Sequence, residues 1–336
     1  MNGKLCFFLD KNQSPTHFNL SHFLLERGWR SGSFKWQAHF SEANLQFNQK
    51  AAEQLEYKHH LAVLAAHFCP EAMPLTYCVN DSNWPFVLNQ MAAQHYLKQD
   101  GLNDQIRDLV WILKPALLNN GESIKVFTRL SELERHFLSA NRLGGEHVLQ
   151  QYITHPHLLR AAHKYSIRLF VVLTNYAGNF LYPKGYFNVA LQPFTANEYQ
   201  DLRGHLTNEH LLHTEANVIQ IPSSEFAQFQ TLVPQIQMIL SDMMKGLTQW
   251  HPEAFHGGKT KKIALFGFDF MVDASNRVWL LEANHGPCFP IEANHPLQKH
   301  VYQDFWQHLI RCFIEPIANR QALETGHYSP FEWIPD

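Results

Sequence analysis

Two stretches rich in aromatic and β-branched residues stand out in the pattern of hydrophobic positions along the chain. They span 263–273 and 278–286, and the residues between them are polar or small. Two such stretches joined by a short turn predict a β-hairpin. With 274–277 as the loop, the predicted cross-strand pairs are Asp273 with Val278, Met271 with Leu280, and Asp269 with Glu282.

Three oxygen-bearing side chains lie on one face of this predicted hairpin. Because side chains alternate between the two faces of a strand, Asp269, Glu282 and Asn284 face the same way. Directly opposed residues have Cβ atoms roughly 4.5–5.5 Å apart, and like charges in such a pair are destabilising. A cation is therefore expected between the two carboxylates, and oxygen ligands of this kind suit Mg²⁺. The hairpin predicts a magnesium site formed by these three residues.

An alternative interpretation of the hairpin requires no metal. The acids then point to solvent or form ion pairs with lysine and arginine. The phenylalanines that flank Asp269 favour the metal, because an acid in apolar surroundings needs a compensating cation or hydrogen bonds. A loop one residue longer or shorter would move Asp269 to the opposite face, so the site depends on a four-residue loop. On charge repulsion alone, Glu282→Gln is expected to be at least as stable as the wild type without ligand.

Hydrophobic runs elsewhere show both strand and helix patterns, which predicts an α+β fold. Strands are predicted within 5–9, 74–79, 109–114, 116–127, 147–153, 165–174 and 179–190. Helices are predicted within 20–25, 49–68, 85–98, 226–250 and 296–318, and 191–225 is predicted to be mostly loop. A chain of 336 residues exceeds the usual size of a single core, so two or three subdomains are expected.

Two basic residues occur inside or at the end of apolar strands. Lys114 ends such a strand, and its ammonium group needs an anionic partner such as a phosphate. In the alternative interpretation, the side chain extends to the protein surface and the ammonium group is solvated there. Arg168 lies within a predicted strand, and it is expected to hold a carboxylate or phosphate or to form a structural salt bridge. Lys58, in contrast, is a solvated helix residue on periodicity alone. The loop after Lys114 contains the single glycine Gly121, which is a weak signal for phosphate binding.

The overall charge balance excludes some partners. Lysine and arginine number 27 and aspartate and glutamate 30, so the formal charge is −3. This balance gives no strong electrostatic footprint for nucleic acid or an anionic membrane, and neither partner is expected. No run approaches the ~20 apolar residues of a membrane span, and five cysteines without a CxxC pair fit a reducing compartment. A cytoplasmic location is expected.

Several short motifs follow one another in a fixed order between about residues 110 and 290. They are W-I-L-K-P at 111–115, V-L-Q-Q-Y-I at 148–153, K-Y-S-I-R at 164–168, L-Y-P-K-G at 181–185, H-L-T-N at 205–208, F-G-F-D-F-M-V-D at 266–273 and L-E-A-N at 281–284. Each motif alone is weak, but their order and spacing are specific. The set resembles the tubulin-tyrosine-ligase family, a branch of the ATP-grasp ligases.

The resemblance implies an ATP-grasp fold in which ATP lies between two α+β lobes. The expected organisation is a small N-terminal α/β subdomain at 1–55, a central lobe at 56–154 and a C-terminal lobe with the metal-binding hairpin at 155–336. The implied nucleotide contacts are Lys58 and Lys114 at the phosphates, Gln150, Gln151, Tyr152 and Ile153 at the adenine hinge, and Lys164 and Asn208 elsewhere on the nucleotide. The implied Mg²⁺ ligands are Asp269, Glu282 and Asn284, and Arg168 matches the family arginine that stabilises the reacting phosphoryl and acyl groups.

The implied reaction is ATP-dependent ligation of an amino acid to a protein or peptide carboxylate through an acyl phosphate. Two alternatives remain open: an ATP-grasp ligase that acts on small molecules, and an ATP-binding pseudoenzyme that acts as an interaction module. The chain departs from the family pattern at Ser166, where the family usually has aspartate, and at Asn188, where a second basic residue is expected. That basic residue is associated with a substrate carboxylate, so the sequence leaves the amino acid and the acceptor open.

Overall fold

The computed structural model describes residues 4–10, 15–96, 109–159, 162–211, 215–256, 258–287, 289–290, 292, 294–320 and 327–336. Helices and strands are both abundant in this part of the chain, so the predicted α+β class is confirmed.

A small parallel sheet forms near the N-terminus. It consists of β1 (Cys6–Phe8), β2 (Arg30–Ser31) and β3 (Phe40–Ser41), in the order β2-β1-β3. The helix predicted within 20–25 is present as the longer α1 (Pro15–Glu26). Gly28 follows this helix with φ +81°, a left-handed conformation that ends helices.

A four-stranded antiparallel sheet follows. Its strands are β4 (Thr76–Val79), β5 (Trp111–Pro115), β6 (Lys125–Phe127) and β7 (His147–Gln151), in the order β4-β7-β5-β6. The strands predicted in this region are confirmed. One face of the sheet packs on the helices Trp84–Met91 and Leu130–Leu138, through a cluster that includes Trp111, Leu113 and Leu149.

The largest sheet has seven strands, and its neighbouring strands are antiparallel. The strands from Tyr165 onward are β8 (Tyr165–Thr174), β9 (Asn179–Leu181), β10 (Tyr186–Ala190), β11 (His210–Leu211), β12 (Glu215–Ala216), β13 (Val218–Pro222), β14 (Ile263–Val272), β15 (Val278–His285) and β16 (Glu332–Ile334). The main path is β13-β10-β8-β14-β15, and β9 joins β8 to β16, while β11 and β12 pair separately. The predicted loop at 191–225 therefore contains a sheet strand, β13, that the sequence pattern did not indicate.

The remaining helices lie mostly where the pattern predicts them. They are α2 (Glu42–Leu45), α3 (Gln49–Glu56), α4 (Lys58–Phe68), α5 (Trp84–Met91), α6 (Leu130–Leu138), α7 (Phe229–Trp250), α8 (Pro252–Phe255), α9 (Gln303–Leu309) and α10 (Glu315–Ala318). π-helical turns at Ala92–Tyr96, Gln298–Tyr302 and Ile310–Ile314 extend α5 and flank α9. The end of the helix predicted within 85–98 lies outside the described residues.

The single helix predicted within 49–68 is wrong, because the chain breaks at Tyr57. Tyr57 has extended dihedral angles, with φ −79° and ψ 118°, so α3 ends before it and α4 begins after it. The backbone N–H of Lys58 donates to the carbonyl oxygen of Ala116 at 3.2 Å. A contact from a distant loop thus fixes the start of α4.

Alternation along β8 divides the core of the large sheet in two. The odd-numbered residues from Ile167 to Leu173 pack with α3, α4 and α7. The even-numbered residues Phe170 and Val172 pack with the C-terminal helices and the N-terminal sheet. Ser166 and Arg168 share this second face, where they border a cavity. No helix in the described part of the chain combines the length and apolar character needed to cross a membrane.

Candidate functional site

A cavity of about 310 Å³ lies between the four-stranded and seven-stranded sheets. Its walls come from β5, β7, β8, β10, β13, β14 and β15, from the start of α4 and from the loops near Gly121 and Thr207. Every residue predicted for the site lines this one cavity: Lys58, Lys114, Gln150, Gln151, Tyr152, Ile153, Lys164, Arg168, Asn208, Asp269, Glu282 and Asn284. The structure therefore brings the whole predicted set together, while the role of each residue stays a prediction.

The hairpin β14–β15 differs from the predicted register in an instructive way. Asp269 lies opposite Glu282 as predicted, but Met271 pairs with Trp279, and Leu280 pairs with Phe270. Val272 pairs with Val278, so the loop has five residues, 273–277, rather than four. The expectation that a longer loop displaces Asp269 is wrong, because a β-bulge follows on β15 and restores the pairing.

Leu281 is the extra residue of this bulge. Its neighbours Leu280 and Ala283 pack in the core with α7, whereas Leu281 and Glu282 both line the cavity. Two consecutive residues therefore face the same side, which a regular strand does not allow. The phenylalanines around Asp269, in contrast, lie on the core face of β14 and leave the carboxylate to the cavity.

Both carboxylates of the hairpin are paired with protein cations. Asp269 is 5% exposed and accepts hydrogen bonds from Arg168 Nε at 2.5 Å and Nη2 at 2.6 Å. Glu282 lies 3.6 Å from Lys58 Nζ. The amide of Asn284 donates to Asp269 Oδ2 and to Glu282 Oε1, each at 3.3 Å. The carboxylates do not point to solvent. Of the two metal-free arrangements considered from the sequence, the structure shows the one with ion pairs to lysine and arginine.

The two carboxyl groups differ in acidity because their surroundings differ. Burial raises the pKa of Asp269 to about 6, although Arg168 opposes this shift. Burial also acts to raise the pKa of Glu282, but the nearby cations Lys58 and Lys114 prevail and lower it to about 2. Burial would lower the pKa of Arg168, and Asp269 reverses that effect and holds it above its usual value. Glu282 is thus the firmly ionised member of the pair.

Gly267 makes room for the arginine. A Cβ at this position would lie 2.9 Å from Arg168 Cδ and 3.1 Å from Pro287 Cβ. Any larger residue would push the guanidinium away from Asp269, two positions along the same strand. The glycine in the F-G-F-D motif therefore allows the close approach of Arg168.

Lys114 points into the cavity rather than to the outer surface. Its ammonium donates to Gln150 Oε1 at 2.8 Å, and the Gln150 amide in turn donates to Thr76 Oγ1 at 2.8 Å. Burial lowers the pKa of Lys114 to about 8, against the opposing effect of Glu282. The alternative in which this lysine extends to the surface does not occur.

Lys58 is buried, contrary to the expectation from helix periodicity. It is 7% exposed, and its ammonium donates to the carbonyl oxygen of Leu118 at 2.7 Å. The helix break at Tyr57 places Lys58 in the first turn of α4, next to the loop after β5. Periodicity fails here because it assumes one uninterrupted helix.

Lys164 is held within a cluster of rings. It is 2% exposed and donates to the Tyr152 hydroxyl at 2.7 Å, and that hydroxyl shares a second hydrogen bond with His205 Nδ1 at 2.8 Å. Burial, together with Lys114, lowers the pKa of Lys164 to about 7. Burial also lowers the pKa of His205. The site thus contains a lysine that gains or loses its proton near neutral pH.

Apolar side chains form another part of the cavity wall, and the sequence did not single them out. They include Ile112, Leu206, Met271 and Leu281. Ile112 and Met271 could have been found by alternation, because each lies on the same face as a predicted site residue of its own strand. Leu281 could not, since only the bulge turns it toward the cavity.

Three uncharged polar residues form a row across adjacent strands. Ser166 on β8 is paired with Asn188 on β10, which is paired with Gln220 on β13. All three line the cavity, and we call them the neutral row. The Gln220 amide donates to Asn188 Oδ1 at 3.1 Å, and Thr207 donates to the Ser166 hydroxyl at 2.9 Å. Gln220 Oε1 is buried and accepts no hydrogen bond from the described residues.

Histidine, cysteine and carboxylate clusters give no further candidate. Within the described ranges, no group of three or more such residues is placed to hold a metal ion. The predicted magnesium ligands are two carboxylates and an amide, an oxygen set of the kind that Mg²⁺ accepts. Presenting its oxygen to a cation would require the Asn284 amide to turn over, since its nitrogen now faces both carboxylates.

A cavity that combines buried lysines, an arginine and paired carboxylates between two sheets is typical of enzymes that act on phosphorylated compounds. The model of the tubulin-tyrosine ligase family matches residues 83–322, which is more than half of the chain. The chain belongs to this family, and the resemblance noted in its motifs is confirmed.

Curated relatives are similar at low identity. A probable tubulin polyglutamylase of Mus musculus is 24% identical over 304 residues, which cover 79% of this chain and 51% of that protein. A tubulin glycylase of Tetrahymena thermophila is 25% identical over 239 residues, which cover 65% of this chain and 22% of that protein. A probable tubulin–tyrosine ligase of Saccharomyces cerevisiae is 23% identical over 299 residues, which cover 73% of this chain and 38% of that protein. The chain spans about half or less of the length of these relatives.

Proposed function

We propose that the protein is an ATP-dependent ligase that joins the amine of an amino acid to a carboxylate of a protein or peptide. The proposal includes an ATP-grasp fold, with a central lobe at 56–154, a C-terminal lobe at 155–336 and a small N-terminal subdomain at 1–55. It rests on one observation above all: a single cavity gathers every predicted site residue from five strands, from the start of α4 and from the adjoining loops. Family membership supports the reaction class, since one relative is named as a probable tubulin–tyrosine ligase.

The two ends of the cavity differ in character, as the two ends of ATP do. Ile112, Met271 and Leu281 offer an apolar surface beside the hinge at Gln150–Ile153, which suits an adenine ring. Lys58 and Lys114 lie beside Glu282 and suit phosphates. We assign Lys164 and Asn208 to further contacts with the nucleotide.

Magnesium fits the donor set formed by Asp269, Glu282 and Asn284. Ion binding and ATP binding are linked in this assignment, because Mg²⁺ usually bridges protein carboxylates to substrate phosphates. The bound ion would offset negative charge on the transferring phosphoryl group. Arg168 holds Asp269 in place and reaches the same region, where it stabilises charge that develops on oxygen.

The proposed reaction has two steps. The acceptor carboxylate oxygen attacks the γ-phosphorus of ATP, the bond to the β-phosphate oxygen breaks, and ADP leaves. The amine nitrogen then attacks the acyl carbon, the carbon–oxygen bond to phosphate breaks, and inorganic phosphate leaves as the amine proton passes to solvent. The described cysteines are free thiols, which fits action in the reducing cytoplasm.

Release of ADP tests the proposal. Protein with Mg-ATP is screened against the twenty amino acids, with and without an N-acetylated glutamate-rich peptide. ADP should form over many turnovers only when carboxylate and amine are both present, and Lys114→Ala should reduce it while the exposed Lys245→Ala should not. Turnover with free carboxylates but no peptide would favour a small-molecule ligase. Tight ATP binding without ADP under any condition would favour an interaction module.

A further inference from the structure

The ammonium group of Lys114 is the last member of a chain of hydrogen bonds that begins at a backbone carbonyl. The Thr76 hydroxyl donates to the carbonyl oxygen of Pro74 at 2.6 Å. The Gln150 amide donates to Thr76 Oγ1 at 2.8 Å, and Gln150 Oε1 accepts from Lys114 Nζ at 2.8 Å. Thr76 on β4 is paired with Gln150 on β7, so the register of the sheet brings these two side chains together. Pro74, Gln150 and Lys114 line the cavity, and Thr76 lies outside this wall.

Each hydrogen bond in this chain can run in one direction only. A carbonyl oxygen only accepts, so the single proton of the Thr76 hydroxyl points to Pro74, and the hydroxyl oxygen must accept from Gln150. The NH₂ group of the Gln150 amide therefore faces Thr76, and its oxygen faces Lys114. A charged ammonium group only donates, so Lys114 requires the same orientation of the amide. Both ends of the chain thus fix the Gln150 amide the same way round.

Burial makes the orientation of this amide important. Gln150 is 2% exposed, so a hydrogen bond lost here is not replaced by bulk water. Burial also lowers the pKa of Lys114 to about 8, and an acceptor beside it stabilises the charged form. An amide turned the other way would direct N–H groups at the ammonium group and displace it. The charged groups around Lys114 are Glu282, Lys58 and Lys164. None of them belongs to the chain, so a change at Thr76 leaves these charges as they are.

We propose, on the basis of the ligase function above, that Thr76 is a positioning residue, which orients the Gln150 amide so that its oxygen holds the Lys114 ammonium group at the ATP phosphates. Thr76 touches no substrate and acts only through these two residues. The side chain of Gln150 thus serves the phosphate lysine, and its part in the adenine hinge belongs to its backbone.

A double-mutant cycle on nucleotide binding tests this inference. Calorimetry with Mg²⁺ and a non-hydrolysable ATP analogue gives the Kd of wild type, Thr76→Val, Lys114→Met and the double variant. Thr76→Val replaces the hydroxyl by a methyl group and should weaken binding ~3- to 10-fold, the effect of one hydrogen bond. In the Lys114→Met background the same change should alter Kd less than ~2-fold, because no ammonium group is left to position. Thr76→Ser keeps the hydroxyl and should bind like the wild type.

Two further variants complete the design. Thr231→Val is the matched control, because the Thr231 hydroxyl also donates to a backbone carbonyl, that of Gln228 at 2.7 Å, but lies exposed on α7. Its Kd should equal that of the wild type. Gln150→Met removes the middle of the chain without changing β4, so it should reproduce the loss and serves as the test if Thr76→Val does not fold. Thermal melting establishes that each variant is folded.

A measurement without nucleotide separates this inference from the ligase function. In protein labelled with ¹⁵N-lysine, the Lys114 ammonium signal is the one that Lys114→Met lacks. Its protons should exchange with water at least ~10-fold faster in Thr76→Val than in the wild type or Thr76→Ser. Equal exchange rates, or an equal loss of affinity in both backgrounds, overturn the inference and leave the ligase intact. Failure of the wild type to bind Mg-ATP overturns the nucleotide assignment instead, and the exchange rates then decide whether Thr76 holds Lys114.

Discussion

Arg168 donates two hydrogen bonds to Asp269 on the neighbouring strand, from Nε and Nη2 to the two carboxylate oxygens. This pair lines the cavity and links the two roles predicted from the sequence, because a predicted metal ligand is held by the predicted catalytic arginine. Removing either side chain therefore affects charge, geometry and stability together.

The first prediction concerns the arginine itself. Arg168→Ala should lower ADP formation at least ~100-fold, the usual loss when a donor to developing negative charge is removed. It should also destabilise the unliganded protein by roughly 3 kcal/mol, since Asp269 is left buried without its partner. ADP release and urea unfolding measure the two effects. Arg168→Lys, which keeps the charge but loses the fork, should recover part of the stability and little of the activity; full activity in either variant would refute the catalytic role.

Lys114 provides a test of the phosphate end. Lys114→Ala should weaken Mg-ATP binding by ~10- to 100-fold, the range expected for one charge-assisted hydrogen bond. The fold should persist, since the side-chain hydrogen bond that Lys114 makes within the described part of the chain is the single one to Gln150 Oε1. Calorimetry gives the affinity, and Lys245→Ala on the exposed face of α7 is the control. An unchanged Kd in folded Lys114→Ala protein would move the phosphate site elsewhere.

Glu282→Gln is a case in which the structure reverses the expectation from sequence. Cross-strand repulsion alone predicts a variant at least as stable as the wild type. The cations around Glu282 lower its pKa to about 2, below its usual value, so the ionised group stabilises the fold above pH ~4.5 and this contribution is lost as the pH falls toward 2. Glu282→Gln should thus be less stable near neutral pH, by roughly 1–3 kcal/mol. It should also gain less thermal stability from Mg-ATP, and a full gain would exclude Glu282 as a ligand.

Burial of Lys164 should make the stability of the protein depend on pH in the alkaline range. Its folded-state pKa of about 7 lies below the ordinary value of about 10.4, so the folded protein binds fewer protons between these limits. The free energy of unfolding should therefore rise with pH in this window. Below pH 7 Lys164 is charged in the folded protein, and the full energetic cost of burying that charge is present. Urea unfolding of wild type and Lys164→Met should show a difference that shrinks by roughly 1–2 kcal/mol between about pH 7.5 and 9.5. Parallel pH profiles for the two proteins would show that Lys164 keeps an ordinary pKa.

The sequence predicted best those elements that a long local pattern defines. The apolar run at 165–174 is β8 in full, and α7 covers 229–250 of the predicted 226–250. The hairpin pattern predicted Asp269, Glu282 and Asn284, and the apolar strands singled out Lys114 and Arg168. The other site residues came from the order of the motifs, which gives positions in the chain without their contacts. Their meeting in one cavity follows from the pairing of strands as distant as β8 and β14.

The failures arise from interactions between distant segments. Tyr57 breaks a helix because Lys58 bonds to Ala116, and no local signal marks that contact. The partnership of Arg168 with Asp269 joins residues 101 positions apart, so the sequence could only balance a ligand against a salt bridge. β13 was missed although three of its five residues are β-branched, because it is short and lies within a stretch that is mostly polar.

A deletion at position 281 would act on this hairpin differently from a deletion elsewhere along it. In a regular strand, removing one residue turns every later side chain to the opposite face. Leu281 is the surplus residue of the bulge, so its removal leaves Asp269 opposite Glu282 and keeps Asn284 toward the cavity. Only an apolar part of the wall disappears. Deletion of residue 281 would therefore change the apolar wall proposed to contact the adenine ring, while the positions of the two carboxylates are kept.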